Sequence, residues 1–560
     1  MDIEFLYKTW LEFDDNVFEE LKSLSEEEKE DRFYKEIKFG TGGIRGEIGY
    51  GTNRINTYTI GRACIGVGKY LISKNKKNLV LIAYDSRRFS QEFAKLSYRI
   101  FSSMGIRAKL FKSPAPTPLL SYAVRNLKAT AGIVITASHN PKEYNGYKVY
   151  GSDGGQITLS SANCIFDYIK ESEYNCNIVK SANNEDKEIE YDYICDMVCE
   201  EYFESIIALS FNTELIRKYS DSIKIVYTPL HGVGGIFIKD LMKKLGYNNI
   251  FYVKSQFAPD GEFSTVKYPN PEEDKVFEYA KKLGEDKKAD LLIATDPDCD
   301  RVGIMVRNKV GEYVTLTGNE IGTLLTYYVL SQISSKSNIK KDSMIVKTIV
   351  TTDIVKEICN DFNVGLDEVL TGFKYIGEKI SEYEECGKNF ILGFEESYGY
   401  LVGDFVRDKD GVIATVLISE MALYYKTMGM SLLEILDKLH KKYGYYKEKL
   451  ISFEFSGKNG EDTINRLMES MRSESFLLSV GFNPIDIIDY NDGIGSLPKE
   501  NVVSLLMEEG KVIIRPSGTE PKIKFYLSSK AKDDLDSVGK LKLLENNINK
   551  IIQNVNNKED

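Results

Sequence analysis

At 560 residues the chain exceeds what one hydrophobic core can organise, and length alone points to about four domains. Its composition, 42% hydrophobic and 28% charged, is that of a globular protein, and no apolar run reaches the length of a membrane span. A formal net charge of −11 argues against a general nucleic-acid or anionic-membrane surface, so an anionic partner has to be drawn in by a local cationic cleft.

Residues 1–36 place Phe5, Leu6, Trp10, Leu11, Phe18, Leu21 and Leu24 at helical spacing among acids and lysines, which predicts an amphipathic helical arm packed on the body. The first residues are acidic and lack the basic and apolar regions of a secretory signal. The eight cysteines form no C-x-x-C pair, and reduced thiols in a cytoplasm are expected; Cys195 and Cys199 fall in a segment that reads as helix. Strand-like runs then alternate with helical stretches: Leu79–Ala83, Ala108–Phe111, Gly132–Ile135, Ile223–Tyr227, Ile250–Val253, Leu291–Ala294, Met344–Val350 and Phe390–Gly393, with helices at 92–104 and 275–284. This is an α/β pattern with mixed or mainly parallel sheets. Asn183–Lys187 reads as a solvated linker. In the last third, Lys449–Phe455, Val502–Met507, Lys511–Arg515 and Lys522–Leu527 predict short antiparallel strands, with a hairpin turn at Glu509-Gly510 and a helix at 533–553.

Two segments that follow strand-like runs carry chemistry. The first is Thr136-Ala-Ser-His-Asn-Pro-Lys-Glu-Tyr-Asn-Gly-Tyr-Lys148. No G-x-S-x-G surrounds Ser138, and the chain has three histidines, His139, His231 and His440, so a Ser-His-Asp hydrolase is poorly supported, although His139 beside Ser138 keeps it open. A serine without an obvious base fits better as a phosphoryl carrier activated by metal and cationic neighbours. An ordinary strand-to-loop turn is the competing reading. Lys148 would bring a positive charge or a proton-transfer group near the same turn.

The second is Asp296-Pro-Asp-Cys-Asp-Arg-Val-Gly303. In extended chain, alternate carboxylates lie roughly 6–7 Å apart. Asp296, Asp298 and Asp300 therefore converge only if the loop curls around one centre, and a hard divalent cation supplies a reason to curl. An EF-hand also begins D-x-D-x-D, but its sixth position needs Gly and here carries Arg301, and its twelfth needs Glu and carries Arg307. A solvated acidic turn remains the alternative; Arg301 favours a metal beside a phosphate. Cys299 reads as a small buried side chain, not a ligand. Elsewhere, Thr228-Pro-Leu-His-Gly-Val-Gly-Gly235 reads as a tight strand-to-helix junction in preference to a phosphate cradle, with His231 structural. His440, on a Lys-rich helix, is expected to face solvent. Arg407-Asp-Lys-Asp-Gly411 reads as a cleft-closing segment or a charged turn.

Taken together, Ser138-His-Asn-Pro141, Asn145-Gly-Tyr-Lys148 and Asp296-Pro-Asp-Cys-Asp-Arg301 resemble the α-D-phosphohexomutases. Three further signatures stand in that superfamily's order: Gly40-Thr-Gly-Gly-Ile-Arg-Gly46, Gly393-Phe-Glu-Glu-Ser-Tyr-Gly399 and Arg515-Pro-Ser-Gly-Thr-Glu-Pro521. The wording of the Gly393–Gly399 loop and the overall length look most like the bacterial phosphoglucomutases related to the vertebrate phosphopentomutase branch. The resemblance implies four domains around a central cleft, three similar mixed α/β domains and a smaller C-terminal α+β domain. The expected ranges are 1–205 with the phosphoserine loop, 206–315 with the metal loop, 316–442 with the sugar-binding loop and 443–560 with the phosphate-binding loop.

It also implies roles. Ser138 would carry the phosphoryl group, in a catalytic group with Arg45, Lys148, His139 and Arg301. Mg²⁺ would be held by Asp296, Asp298, Asp300 and an oxygen of phosphorylated Ser138. Glu395 and Ser397 would hold sugar hydroxyls, although on local sequence a helix N-cap is an equal reading of that loop. Arg515, Ser517, Gly518 and Thr519 would grip the distal phosphate, in what also reads as a Pro-Ser-Gly turn between strands. Thr371, Gly372 and Lys374 align with a substrate-contacting loop, whose bulky Phe373 follows the phosphoglucomutase style. Arg45, Lys148, Arg301, Lys374, Arg407 and Arg515 are the candidate cleft cations. The expected activity is interconversion of glucose 1-phosphate and glucose 6-phosphate through glucose 1,6-bisphosphate, by a monomer or dimer binding neither nucleic acid nor membrane. A phosphopentomutase or phosphomannomutase, or a non-catalytic sugar-phosphate-binding regulator, are the alternatives.

Overall fold

Runs such as Leu-Val-Leu-Ile-Ala-Tyr and Leu-Leu-Ile-Ala-Thr are apolar at consecutive positions, as strands buried on both faces of a sheet must be. The computed structural model describes residues 2–40, 42–74, 77–183, 189–455, 460–495, 497–517 and 522–556. Among them the strands are, in chain order, β1 (Gly43–Glu47), β2 (Leu79–Tyr84), β3 (Arg107–Leu110), β4 (Ala131–Ile135), β5 (Tyr144–Tyr150), β6 (Ile225–Thr228), β7 (Ile250–Tyr252), β8 (Leu291–Thr295), β9 (Val302–Arg307), β10 (Tyr313–Leu316), β11 (Ser343–Thr348), β12 (Gly365–Val369), β13 (Asn389–Glu395), β14 (Gly399–Val402), β15 (Tyr445–Glu454), β16 (Asp486–Asp489), β17 (Val503–Leu506), β18 (Gly510–Pro516) and β19 (Lys522–Ala531). The chain divides into two units, 1–318 with 373–429, and 319–372 with 430–560.

The first unit holds two sheets built alike. The first runs β1-β5-β4-β2-β3 and the second β10-β9-β8-β6-β7. In each, three strands are parallel (β2, β3 and β4; β6, β7 and β8), and the last of them turns back into an antiparallel neighbour, β4 into β5 and β8 into β9. The same reversal occurs a third time between β13 and β14, through the turn Glu396–Tyr398. Each reversal leaves a short polar loop at the carboxyl end of a buried strand, where α/β folds build sites.

The N-terminal arm forms three helices, Ile3–Leu11, Asp15–Leu21 and Glu26–Phe33, started by Asp2, Asp14 and a Ser25/Glu28 capping box. Trp10 sits at the centre of its packing, 1% exposed, with ring centroids of Phe33, Tyr58 and Tyr174 at 5.8, 5.6 and 5.1 Å. The helix predicted around Cys195 and Cys199 begins later, at Met197, so only Cys199 is helical.

In the second unit, β11 and β12 are parallel, and β15-β19-β18-β17-β16 form an antiparallel sheet packed on the helix Asp534–Asn556. The hairpin turn lies one residue earlier than expected, at Glu508-Glu509, with Gly510 opening β18 at φ 155°. His440 is not solvent-facing. It is buried, stacked 5.5 Å from Tyr445, with Nδ1 3.3 Å from the Gly444 carbonyl, because its position on Leu432–Tyr443 falls on the face shared with Leu436 and Leu439. The expected linker at Asn183–Lys187 lies, beyond Asn183, outside the described residues. Among the described residues no helix is long and apolar enough to cross a membrane.

Trp10 is the chain's one tryptophan, so its fluorescence reports the arm. Native emission is expected to be blue-shifted and poorly quenched by acrylamide, and Phe33→Ala should destabilise the arm by about 3–5 kcal/mol, read as an earlier red shift in guanidinium. Water-exposed emission from the native chain would show that the arm does not dock.

Candidate active site

The three reversals share a backbone device. Each carries one non-glycine residue in the left-handed region, Ser138 at φ 53°, Cys299 at φ 56° and Tyr398 at φ 64°. That conformation costs an L-residue about 1–2 kcal/mol, so surrounding contacts have to hold it. For Cys299 the result is the predicted curl: carboxylate oxygens of Asp296, Asp298 and Asp300 lie within 4.8 Å of one another, all three residues buried. Cys299 points away, packed beneath Gly234, and burial raises its thiol well above the ordinary range.

Ser138 stands against this cluster. Its Oγ donates to Asp296 Oδ2 at 2.6 Å and lies 3.3 Å from His139 Nδ1; its own N–H donates to Thr136 Oγ1. Burial and the charges of Arg301 and Arg45 hold His139 well below its usual value, so the imidazole is neutral. Lys148 is on β5 rather than in the turn, and its Nζ reaches Asp298 Oδ2 at 2.8 Å and Asp300 Oδ2 at 3.5 Å. Burial works against its charge, yet Asp298 and Asp300 outweigh that and raise its pKa. Arg45, on β1 opposite Gly146, donates to Asn140 Oδ1 at 3.0 Å. Arg301 gives its N–H to Asp296 Oδ1 and its Nη1 to Glu272 Oε1 at 2.7 Å. Ser138, His139, Arg45, Lys148, Arg301 and the three aspartates thus converge from β1, β5 and the two loops.

The aspartates are held unequally. Asp298 Oδ2 accepts from Lys148 and from Thr117 Oγ1 at 2.8 Å; burial opposes its charge, but these contacts hold its pKa far below normal. Asp296, desolvated and repelled by Asp298 and Asp300, is pushed well above the usual carboxylate range. Among the described residues, Asp298 Oδ1 and Asp300 Oδ1 are buried with no hydrogen-bond partner. Two orphaned carboxylate oxygens beside a third, desolvated acid form an all-oxygen donor set suited to a hard divalent cation.

The third reversal joins the same place. Arg301 bridges to Gly399, Val302 N–H donates to Tyr398 O at 3.0 Å, and Gly411 N–H donates to Cys299 O at 3.1 Å. Glu395 and Ser397 therefore sit in a hairpin and not at a helix start. Burial pushes Glu395 up to about 7, against the pull of Lys409. Lys374 opens the helix Phe373–Cys386. Arg407 departs from expectation: it is fully buried, its guanidinium taken by Ser381, Glu384 and the carbonyls of Asp404 and Val406, so it is a structural cation and not a cleft charge. The Gly-rich junction at 228–235 packs tightly, as read: a Cβ on Gly232 would lie 2.4 Å from Pro297 Cα, and His231 is buried against Thr265.

In the second unit, Thr371 and Gly372 follow β12; Thr371 Oγ1 is buried with no partner among the described residues, and Gly372 has φ 124°. Arg515 lies near the end of β18 with Nε 3.2 Å from Glu500 Oε1, and Ser517 N–H donates to Lys522 O. Gly518 and Thr519 lie outside the described residues.

Four contributors were missed in the sequence: Thr117, Lys409, Arg87 and Asp85. Lys409 Nζ lies 3.1 Å from Asp300 Oδ2 and 3.0 Å from Asp408 Oδ1, inside the segment read as cleft-closing or as a charged turn. Arg87 and its partner Asp85 follow directly on the buried run of β2, the same strand-then-polar signal that marked the other two loops.

Asp298→Asn keeps the shape but removes the best-anchored charge of the triad. Mg²⁺ affinity by titration calorimetry is expected to fall at least ~10-fold with unchanged far-UV dichroism; undiminished affinity would remove the triad as the metal centre.

Known proteins match the chain over most of its length. Family models described as phosphoglucomutase/phosphomannomutase α/β/α domains I, II and III match residues 36–175, 200–311 and 317–443, and the corresponding C-terminal domain matches 485–539. A phosphoglucomutase of Staphylococcus haemolyticus is 39% identical over 512 residues, covering 89% of this chain and 91% of its own. One from Staphylococcus aureus is 35% identical over 539 residues, covering 92% and 94%. The fold matches parafusin, a phosphoglucomutase of Paramecium (TM-score 0.70, 18% identity, 92% and 95% covered), and a phosphoglucomutase/phosphomannomutase family protein of Burkholderia thailandensis (TM-score 0.64, 18% identity, 92% and 97% covered). Three mixed α/β domains and a C-terminal domain, with a buried serine set against three aspartates, place this chain in the phosphoglucomutase/phosphomannomutase family of the α-D-phosphohexomutases.

Proposed function

We propose that the protein interconverts glucose 1-phosphate and glucose 6-phosphate through a phosphoserine at Ser138. The observation that carries this reading is the 2.6 Å contact of Ser138 Oγ with Asp296, inside a buried acidic cluster bordered by Lys148 and Arg301. The naming of the Staphylococcus relatives supports glucose as the sugar.

Asp296, Asp298, Asp300 and an oxygen of phosphorylated Ser138 would hold Mg²⁺, which supplies charge neutralisation around a loose, in-line transition state. Phosphoserine gives its phosphoryl group to the free 6-hydroxyl of glucose 1-phosphate: the P–O bond to Ser138 breaks, a P–O bond to O6 forms, and the proton lost from O6 is balanced by one taken up by the leaving Ser138 Oγ, so that serine returns to its hydroxyl form. The glucose 1,6-bisphosphate turns over and returns its 1-phosphate to Ser138, leaving glucose 6-phosphate. Lys148, kept protonated by Asp298 and Asp300, offsets charge on the serine side and has a proton to give. Neutral His139 approaches Ser138 without adding charge. Arg45, held by Asn140, and Arg301 orient the phosphate. Glu395 and Ser397 serve the sugar hydroxyls, Thr371, Gly372 and Lys374 contact the substrate, and Arg515, Ser517, Gly518 and Thr519 grip the phosphate distal to Ser138.

The test is a coupled assay of glucose 1-phosphate with Mg²⁺ and catalytic glucose 1,6-bisphosphate, beside mannose and ribose phosphates. Glucose turnover should dominate, vanish with EDTA, and fall by several orders of magnitude in Ser138→Ala. Faster pentose or mannose turnover would overturn the sugar assignment, and undiminished activity of Ser138→Ala would overturn the mechanism.

A further inference from the structure

The left-handed turn at Ser138 has to be held by something, and one side chain that the reaction scheme does not use does most of it. Arg87 is fully buried and lies under the loop. Its Nη1 donates to the carbonyls of Pro141 (2.7 Å) and Tyr144 (3.0 Å), and its Nη2 donates to those of Ser138 and Asn140. Four carbonyls of one short turn thus converge on a single planar fork. Asp85 lies beneath the fork: its Oδ2 forms an ion pair with Arg87 Nε at 3.3 Å, its Oδ1 accepts the Arg87 backbone N–H at 2.9 Å, and its Oδ2 accepts from Thr136 Oγ1 at 2.6 Å, which in turn accepts the Ser138 N–H at 2.8 Å. From the other side, the ring of Phe263 covers the guanidinium at 4.9 Å. Phe263 belongs to the long connection between β7 and β8, is 2% exposed, and sits at φ 45°. That connection approaches so closely that a Cβ on Gly261 would lie 2.7 Å from Arg88 N.

We propose that Arg87 is the positioning residue for Ser138, oriented by Asp85 and clamped by Phe263, so that the sheet carrying the metal loop also fixes the aim of the serine. The inference rests on Ser138 being the phosphoryl carrier. A lysine cannot replace the fork, because a point donor does not serve four carbonyls in one plane. Arg87 itself touches no reacting atom; it acts by keeping Oγ in line with the aspartate cluster, where a misplacement of about 1 Å costs roughly 100-fold in rate.

The test compares Arg87→Lys and Phe263→Leu with the parent enzyme. Phosphate uptake at Ser138 from glucose 1,6-bisphosphate is followed by intact mass, and steady-state kcat and KM are measured for glucose 1-phosphate, with melting checked by calorimetry. Arg87→Lys should slow both phosphate uptake and kcat by about 100-fold with KM moving less than about threefold, and Phe263→Leu should show a smaller loss of the same kind. If Arg87→Lys does not fold, Phe263→Leu and Asp85→Asn carry the test through the same kcat-against-KM split. Parent-like kcat in a folded Arg87→Lys, or a loss confined to KM, would overturn the proposal. A parent enzyme that takes up no phosphate at Ser138 would instead refute the carrier assignment, and the two failures are told apart by that control.

Discussion

Three carboxylates buried within 4.8 Å of one another are a severe electrostatic liability, and the site's construction follows from offsetting it. The protein supplies two ammonium groups, Lys148 on Asp298 and Asp300 and Lys409 on Asp300, and a hydroxyl from Thr117. These groups leave a remainder: two carboxylate oxygens have no partner among the described residues, and Asp296 is driven far above its ordinary pKa. A cluster satisfied entirely by side chains would have no capacity for a cation. The incomplete compensation therefore leaves the loop with capacity for a cation, as a fully satisfied polar knot would not have.

Topology explains how the loops meet. A parallel strand that reverses into an antiparallel neighbour leaves a tight loop at its carboxyl end, and the chain uses that geometry at Ser138 and at Asp296–Asp300, with a like reversal at Glu395–Tyr398. Each loop turns through one left-handed, non-glycine residue. The aspartate loop is then anchored by backbone, Thr117 N–H to Asp298 O, Val233 N–H to Pro297 O, Val302 N–H to Tyr398 O and Gly411 N–H to Cys299 O, while the Ser138 loop meets it through Ser138 Oγ and Asp296. Because main chain, not flexible side chain, makes the anchors of the aspartate loop, the carboxylates inherit the precision of the sheets.

How legible this was depended on whether a residue's role was local. The strand-then-polar pattern marked Ser138 and the aspartates, and the D-x-D-x-D spacing demanded a curl that Cys299 provides. Apolar runs located the parallel strands other than β12 within a residue or two. The antiparallel strands of the C-terminal sheet at β15, β17, β18 and β19 were legible, but those of the first unit escaped, β1 and β5 among them, because Gly-Ile-Arg-Gly-Glu and Tyr-Asn-Gly-Tyr-Lys-Val-Tyr carry polar residues owed to the site they border. Arg407 and His440 were misjudged for one reason: a charged or polar residue in a polar stretch reads as exposed, whereas tertiary partners 23 to 26 residues away, Ser381 and Glu384, bury Arg407. Lys409, two residues on, was hidden by the same charged context.

The close joints also decide which small residues the chain can use. Gly411 must approach the Cys299 carbonyl, and a Cβ there would lie 2.6 Å from that oxygen, which is backbone and cannot swing aside. A Cβ on Gly232 would lie 2.4 Å from Pro297 Cα, elsewhere on the same loop. The aspartate loop is thus gripped between two glycine contacts, one from its own sheet's first helix junction and one from the start of the helix Gly411–Thr427. That helix is capped by Asp410, which accepts from Val412 and Ile413 N–H and from the Tyr202 hydroxyl, and which burial pushes up to about 7. The cap, the glycine and the aspartate loop follow one another in direct contact, so the rigidity that holds three repelling carboxylates together is borrowed largely from helix termini and sheet ends.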